Sequence, residues 1–178
     1  MQETQLVLVN ERDEPLGTME KMEAHRKALL HRAFSVFIFN TEGEMLLQRR
    51  AFSKYHSGGL WTNTCCSHPY PGETPLEAAS RRLMEEMGFT TGLEKIFDFI
   101  YKKELDNELT EHEFDHVFVG QYEGLIQPNP EEVVDFKYYS MEEIATRMEH
   151  QPEEFTIWFQ IAFPRVKEWM SAVEMNQV

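Results

Sequence analysis

Residues 61–88 run Trp61-Thr62-Asn63-Thr64-Cys65-Cys66-Ser67-His68-Pro69, then a short loop, then Gly72-Glu73, then Ala78-Ala79-Ser80-Arg81-Arg82-Leu83-Met84-Glu85-Glu86-Met87-Gly88. The second half predicts a helix over about 74–87. Leu76, Ala79, Leu83 and Met87 recur at helical spacing and define a core-facing stripe. Thr74 and Glu77 make a capping pair, Pro75 suits the first turn, and Gly88 supplies a left-handed stop. Arg82 and Glu86, four apart, share a face; taken alone they are an ordinary solvated ion pair. The first half, Thr62 to His68, reads as extended. Alternation sends Thr64, Cys66 and His68 one way and Cys65 and Ser67 the other. One cysteine then faces a site and the other faces packing.

Working outward, 178 residues suffice for one domain, 1–178, with a sizeable core. A net charge of -14 excludes a general nucleic-acid or membrane-surface binder. It also repels an anionic substrate at long range, so a phosphate site needs a local basic cluster or a bound cation. The only two cysteines are adjacent. Vicinal cysteines rarely bridge, and a secreted scaffold carries more of them, so both read as thiols in a reducing cytoplasm. No signal peptide, membrane-spanning run or lipidation signal is read.

Before this stretch, Gln5 to Val9 and Pro15 to Met19 predict a hairpin, and Lys21 to Leu30 a helical or loop segment bearing Lys21 and His25. Ala33 to Asn40 predicts a strand buried on both faces. Met45 to Arg50 returns as its hairpin partner, with Arg50 and then Lys54 at its end. After it, Leu93 to Lys102 predicts a strand with Phe97, Phe99 and Tyr101 on one face and Ile96, Asp98 and Ile100 on the other. Glu111 to Tyr122 predicts another, with Glu111 and Glu113 on one face and His112 opposite. Two carboxylates side by side repel unless a cation or proton lies between them; otherwise they mark an exposed edge. Phe136 to Tyr139 reads as a short strand and Ser140 with Glu143 as a capping box. About Pro152 to Met170 predicts a helix striped by Phe155, Trp158, Phe159 and Ala162, with Pro164 a kink or break and the last residues frayed. The whole is an α/β (α+β) pattern, a mixed sheet sandwiched by helices.

The Gly72-Glu73 loop and the Ala-Ala-x-Arg-x-x-x-Glu-Glu-x-Gly helix resemble the Nudix box, with Arg82 where the hydrolases carry a carboxylate. Joined to Cys66-x-His68-Pro69, His25, His31-Arg32-Ala33-Phe34-Ser35, Glu111-x-Glu113 and Trp158, the chain resembles the type 1 isopentenyl diphosphate isomerases. The resemblance implies a Nudix-like fold and a 1,3-allylic shift that turns isopentenyl diphosphate into dimethylallyl diphosphate. It implies Cys66 and Glu113 as acid/base groups, with Tyr101 as proton partner to Glu113. It implies a divalent ion, Mn2+ or Zn2+, held by His25, His31, His68, Glu111 and Glu113, and Mg2+ bridging Glu86 to the diphosphate, with Cys66 also counted among the metal residues. Lys21, Arg50, Lys54 and Arg82 match diphosphate contacts, and Trp158 would face a carbocation. Phe34, Trp61 and Trp158 would help to exclude water. A cytoplasmic monomer is expected, and a Nudix pyrophosphohydrolase is the alternative.

Overall fold

The computed structural model describes residues 4–176. Its first hairpin joins β1 (Gln5–Val9) to β2 (Pro15–Glu20). Asn10 Oδ1 closes the turn by accepting from the N–H groups of Arg12 and Glu14 at 2.9 and 3.0 Å. Helix α1 (Lys21–Arg26) follows, capped by the Glu20 carboxylate, and then β3 (His31–Phe39). β4 (Met45–Arg50), β5 (Trp61–Thr62) and β6 (Cys65–Ser67) lead into α2 (Pro75–Met87). Two long strands, β7 (Leu93–Glu104) and β8 (Thr110–Gln121), pair as a hairpin. β9 (Val133–Tyr139), α3 (Met141–His150), a 3-10 turn at Pro152–Glu154 and α4 (Ile157–Met175) complete the order.

Among the described residues all nine strands join one mixed sheet. β3 and β8 run parallel over their full contact, from His31 opposite Glu113 to Phe39 opposite Gln121, while the other pairs are antiparallel. The period of two along each strand divides the core. Phe34, Val36, Ile38 and Phe118 meet α2 through Ala78, Ala79, Leu83 and Met87. Phe37, Phe39, Leu47, Val117 and Val119 meet α3 and α4 through Ile144, Phe159, Ala162, Phe163 and Val166. The class is the expected α+β sandwich.

β3 and β4 pair only at Ile38–Leu46 and Phe39–Met45, then separate. β3 continues with β6 and β8, and β4 with β5 and β9. The segment predicted as one strand from Thr62 to His68 crosses this split, and it breaks at Asn63–Thr64 for that reason. Side chains there replace lost ladder bonds: Thr64 Oγ1 accepts from Ile38 N–H at 3.0 Å and donates to Leu46 O at 2.6 Å. Asn63 Nδ2 donates to Val36 O and Cys65 O. Thr64 is therefore spent on the backbone and does not join Cys66 and His68. The splay leaves a cleft between the strands, floored by the Cys66 face of the sheet.

Several local expectations are corrected. Leu76 is 46% exposed rather than in the core stripe, because α2 buries the line through Ala78 and Ala79 instead. Ile96 packs on the same cluster as Phe97 and Phe99, because a bulge between Lys95 and Phe97 turns it over. β9 begins at Val133, earlier than predicted. Ser140 Oγ accepts from Glu143 N–H at 3.1 Å, one half of the expected capping box. Phe155 precedes α4 rather than lying in it, and α4 continues past Pro164 to Met175. The fraying expected at the chain end concerns, beyond Asn176, residues outside those described.

Candidate active site

The strand register builds the site. His31 lies opposite Glu113 on the parallel β3–β8 pair, and Tyr101 lies opposite Glu113 on β7, so the three share one row on one face. Tyr101 OH donates to Glu113 Oε2 at 2.9 Å, and His68 Nε2 lies 3.0 Å from Glu113 Oε1. Glu111, two residues back, points the same way, its Oε2 3.3 Å from His25 Nε2. β8 lies between β3 and β7, which rules out the exposed-edge explanation of the carboxylate pair.

One donor atom each from His25, His31, His68, Glu111 and Glu113 fall within 4.8 Å of one another. Their second contacts suit a divalent ion. His25 Nδ1 meets Lys21 O at 2.6 Å and His31 Nδ1 meets Leu29 O at 2.9 Å, which places their protons on Nδ1 and leaves Nε2 as donor. Both Nε2 atoms are buried without a hydrogen-bond partner. Burial alone would raise Glu113, but its contacts with His31, Glu111 and Tyr101 outweigh that and hold the carboxyl at about 2. Burial first, with the positive charge of Lys21 adding to it, holds His68 well below the usual imidazole range. Two carboxylates, the unpartnered Nε2 atoms of His25 and His31 and the His68 ring beside Glu113 can hold a divalent metal. Cys66 and Glu86, also expected as ligands, lie outside this cluster.

Beside the cluster lies a cleft lined by Cys66, His68, Glu111, Glu113 and Tyr101. Lys21, Arg50, Lys54 and Arg82 edge it, with Glu86, Phe34 and Trp158. Four cations converge on an acidic protein, as a phosphate site demands. Arg50 Nε and Arg82 Nε are buried without partners. Burial and the adjacent Lys54 push Lys21 down to about 8. Arg82 Nη2 holds Glu86 Oε1 at 2.6 Å, Arg82 Nη1 holds Glu85 at 2.7 Å, and Gln48 Nε2 donates to Glu86 Oε2 at 2.9 Å. Both Glu86 oxygens are thus engaged. Arg50 also lies 5.2 Å over the Trp158 ring.

Cys66 sits opposite Ser35 on β3, on the Glu113 face but in a different row. The two groups therefore enter the cleft from different places. Cys66 keeps an opening to the cleft, yet the protein packed around it pushes the thiol up to about 12, burial first and only partly offset by Arg50. Cys65 faces the α2 core, so the expected division of the two cysteines is what the strand produces.

Trp61, expected to help dry the site, packs edge-on against Tyr139 at 5.8 Å and does not line the cleft; it belongs to β5, on the far side of the split. Sequence reasoning missed His56. Its Nε2 lies 2.9 Å from Glu111 Oε1 and its ring meets Trp158 edge-on at 5.7 Å. Tyr55, also missed, lies under Lys21 Nζ, 4.2 Å from the ring centre. Both follow Lys54 directly, and that adjacency was the available signal.

The NUDIX domain family pattern matches residues 29–159. The isopentenyl-diphosphate Delta-isomerase of Pectobacterium atrosepticum is 52% identical over 174 residues, covering 98% of this chain and 97% of its own. The Serratia proteamaculans protein of that name is 48% identical over 154 residues, covering 86% of each. A Deinococcus radiodurans crystal structure superposes with a TM-score of 0.67 at 22% identity, over 83% of this chain and 90% of that one. The MutT protein of Methanosarcina mazei gives 0.64 at 22%, over 78% and 94%. At such identities the likeness concerns the fold alone. The full-length relatives decide the matter: this chain is an enzyme of the isopentenyl-diphosphate Delta-isomerase family, built on the Nudix fold.

Proposed function

We propose that the chain converts isopentenyl diphosphate to dimethylallyl diphosphate by protonation and deprotonation, a step of isoprenoid biosynthesis. One observation carries the reading: Cys66 and Glu113 line a single cleft that also has a wall of cations. The substrate's alkene must gain a proton at its terminal carbon and lose one from the carbon on the other side. Between those events the central carbon has tertiary carbocation character. Two separated acid/base groups serve this better than one. Cys66 and Glu113 divide the two transfers, and Tyr101, 2.9 Å from Glu113, exchanges protons with that carboxyl and with solvent.

Lys21, Arg50, Lys54 and Arg82 hold the diphosphate by charge-assisted hydrogen bonds. That fixes the hydrocarbon against Trp158, whose ring would stabilise the cation by roughly 2 kcal/mol, more than tenfold in rate. Burial of Phe34 and Trp158 at the cleft keeps water from trapping the cation. The His/Glu set would hold Mn2+ or Zn2+ and Glu86 would share Mg2+ with the diphosphate, supplying fixed positive charge beside Glu113 and the phosphates. As both cysteines are free thiols, a reducing cytoplasm suits the enzyme.

A pyrophosphohydrolase is disfavoured. It needs clustered carboxylates on the box helix to hold water-activating metals, and here Arg82 stands within that cluster, one ligand fewer and one repelling charge more. The decisive experiment incubates the protein with isopentenyl diphosphate, Mg2+ and Mn2+ in heavy water and follows products by NMR. The allylic isomer carrying solvent deuterium is expected. Released phosphate would establish the hydrolase, and an isomer without deuterium would exclude the protonation route.

A further inference from the structure

Lys21, Arg50, Lys54 and Arg82 edge one cleft, and three of them are tied to oxygen atoms. Arg50 Nη2 donates to His56 O at 3.2 Å, Lys54 pairs with Glu132, and Arg82 holds Glu85 and Glu86. The Lys21 ammonium has no such partner among the described residues. What meets it is the face of Tyr55, with Nζ 4.2 Å from the ring centre.

The Tyr55 ring is held in place by its turn. It meets His56 edge-on at 4.3 Å and His25 edge-on at 6.1 Å. The turn closes on itself through Lys54 N–H to Ala51 O at 3.2 Å and Gly59 N–H to Arg50 O at 3.0 Å. Ser57 adopts φ +52°, and a Cβ on Gly58 would come within 2.7 Å of Phe52 O. The turn therefore has little freedom to relax, and the ring stays against Lys21.

The kind of partner matters to the site. A carboxylate on Lys21 would cancel its charge, occupy its N–H groups and compete with an incoming anion. An aromatic face attracts the ammonium through the ring quadrupole and uses none of its three donors in a hydrogen bond. The ring thus fixes the ammonium against the repulsion of three neighbouring cations and leaves its charge and its N–H groups for a ligand.

We propose that Tyr55 is a positioning residue for diphosphate binding: its ring face seats the Lys21 ammonium at the cleft with every donor free for a phosphate oxygen. The inference rests on the diphosphate reading given above. The ring face carries the role, and the phenol hydroxyl has no part in it.

The test is binding of pyrophosphate with Mg2+, followed by titration calorimetry. Tyr55→Leu should weaken binding about 3- to 30-fold, the range a cation–π contact spans between exposed and desolvated settings. Tyr55→Phe keeps the ring face and should stay within about twofold of the parent. In a Lys21→Met background, adding Tyr55→Leu should cost less than about twofold more, because the two residues act as one unit. Equal losses in Tyr55→Phe and Tyr55→Leu would overturn the proposal by assigning the effect to the hydroxyl. A full Tyr55→Leu loss that persists in the Lys21→Met background would also overturn it, by making Tyr55 a packing residue against His25 and His56. If Lys21→Met weakens binding while Tyr55→Leu matches the parent, only this inference fails. If the parent binds no pyrophosphate, or Lys21→Met binds it as the parent does, the diphosphate reading fails at Lys21 and this inference with it.

Discussion

Three residues carry the sharpest tests. General acid–base groups contribute roughly 10²- to 10⁴-fold, so Cys66→Ala and Glu113→Gln should each lower kcat/KM by at least about 100-fold, with the circular dichroism spectrum unchanged. Full turnover in either variant would remove the acid/base assignment. Lys21 gives a pH test. A lysine held at about 8 by burial and by Lys54 is charged below that value and neutral above it, and only the charged form attracts a diphosphate. The free enzyme's groups set kcat/KM, so that ratio should fall as pH rises past about 8. Lys21→Arg, which keeps its charge, should move this limb upward. Losing one charge-assisted contact is worth roughly 1.5–3 kcal/mol, so Lys21→Met should raise KM about 10- to 100-fold and flatten the limb. At this scale the sequence disclosed residues that belong to dense patterns. Glu111 and Glu113 announce themselves by spacing two, and Cys66 and His68 by the same rule. His56 and Tyr55 lie in an irregular turn, where no period links a side chain to its neighbours in space.

At the scale of elements, α2 was legible because its signals are local. The reciprocal Thr74–Glu77 box and Gly88 at φ +78° stand as the sequence implied. Thr74→Ala should cost about 1 kcal/mol. Gly88→Ala should cost more than about 2 kcal/mol, since a left-handed residue with a Cβ is penalised by 1–2 kcal/mol and that Cβ would fall 2.3 Å from Gln127 O. Urea denaturation measures both, and an Ala variant at 88 as stable as the parent would contradict the cap geometry. α4 was less legible. An internal proline costs about 3 kcal/mol, which argues for a break at Pro164. Phe159, Ala162, Phe163 and Val166 are buried around it, and large apolar side chains contribute roughly 1.5–3 kcal/mol each. Packing exceeds the penalty, and the helix continues. Likewise alternation set Ile96 on the face opposite Phe97 and Phe99, until a bulge, invisible in composition, reversed it.

Across the whole molecule, ligand binding and stability should be linked. Mn2+ at 100 times its Kd should stabilise the metal-free protein by about 2.7 kcal/mol, a rise in melting temperature of about 5–10 °C for a chain of this size. His31→Ala should abolish the rise, and a parent protein whose melting temperature ignores Mn2+ would refute the five-residue centre. The sequence by itself determined the class of fold, most strand positions, the capped helix and many of the side chains that gather at the cleft, because backbone propensity, hydrophobic period and side-chain type act over a few neighbouring residues. Tertiary structure alone decided that β3 and β4 part company after two paired positions, that Trp61 packs away from the cleft and that His56 comes up against Glu111. Those outcomes depend on contacts between residues from about 6 to 78 apart in the chain, where register and burial, rather than local preference, set the energy.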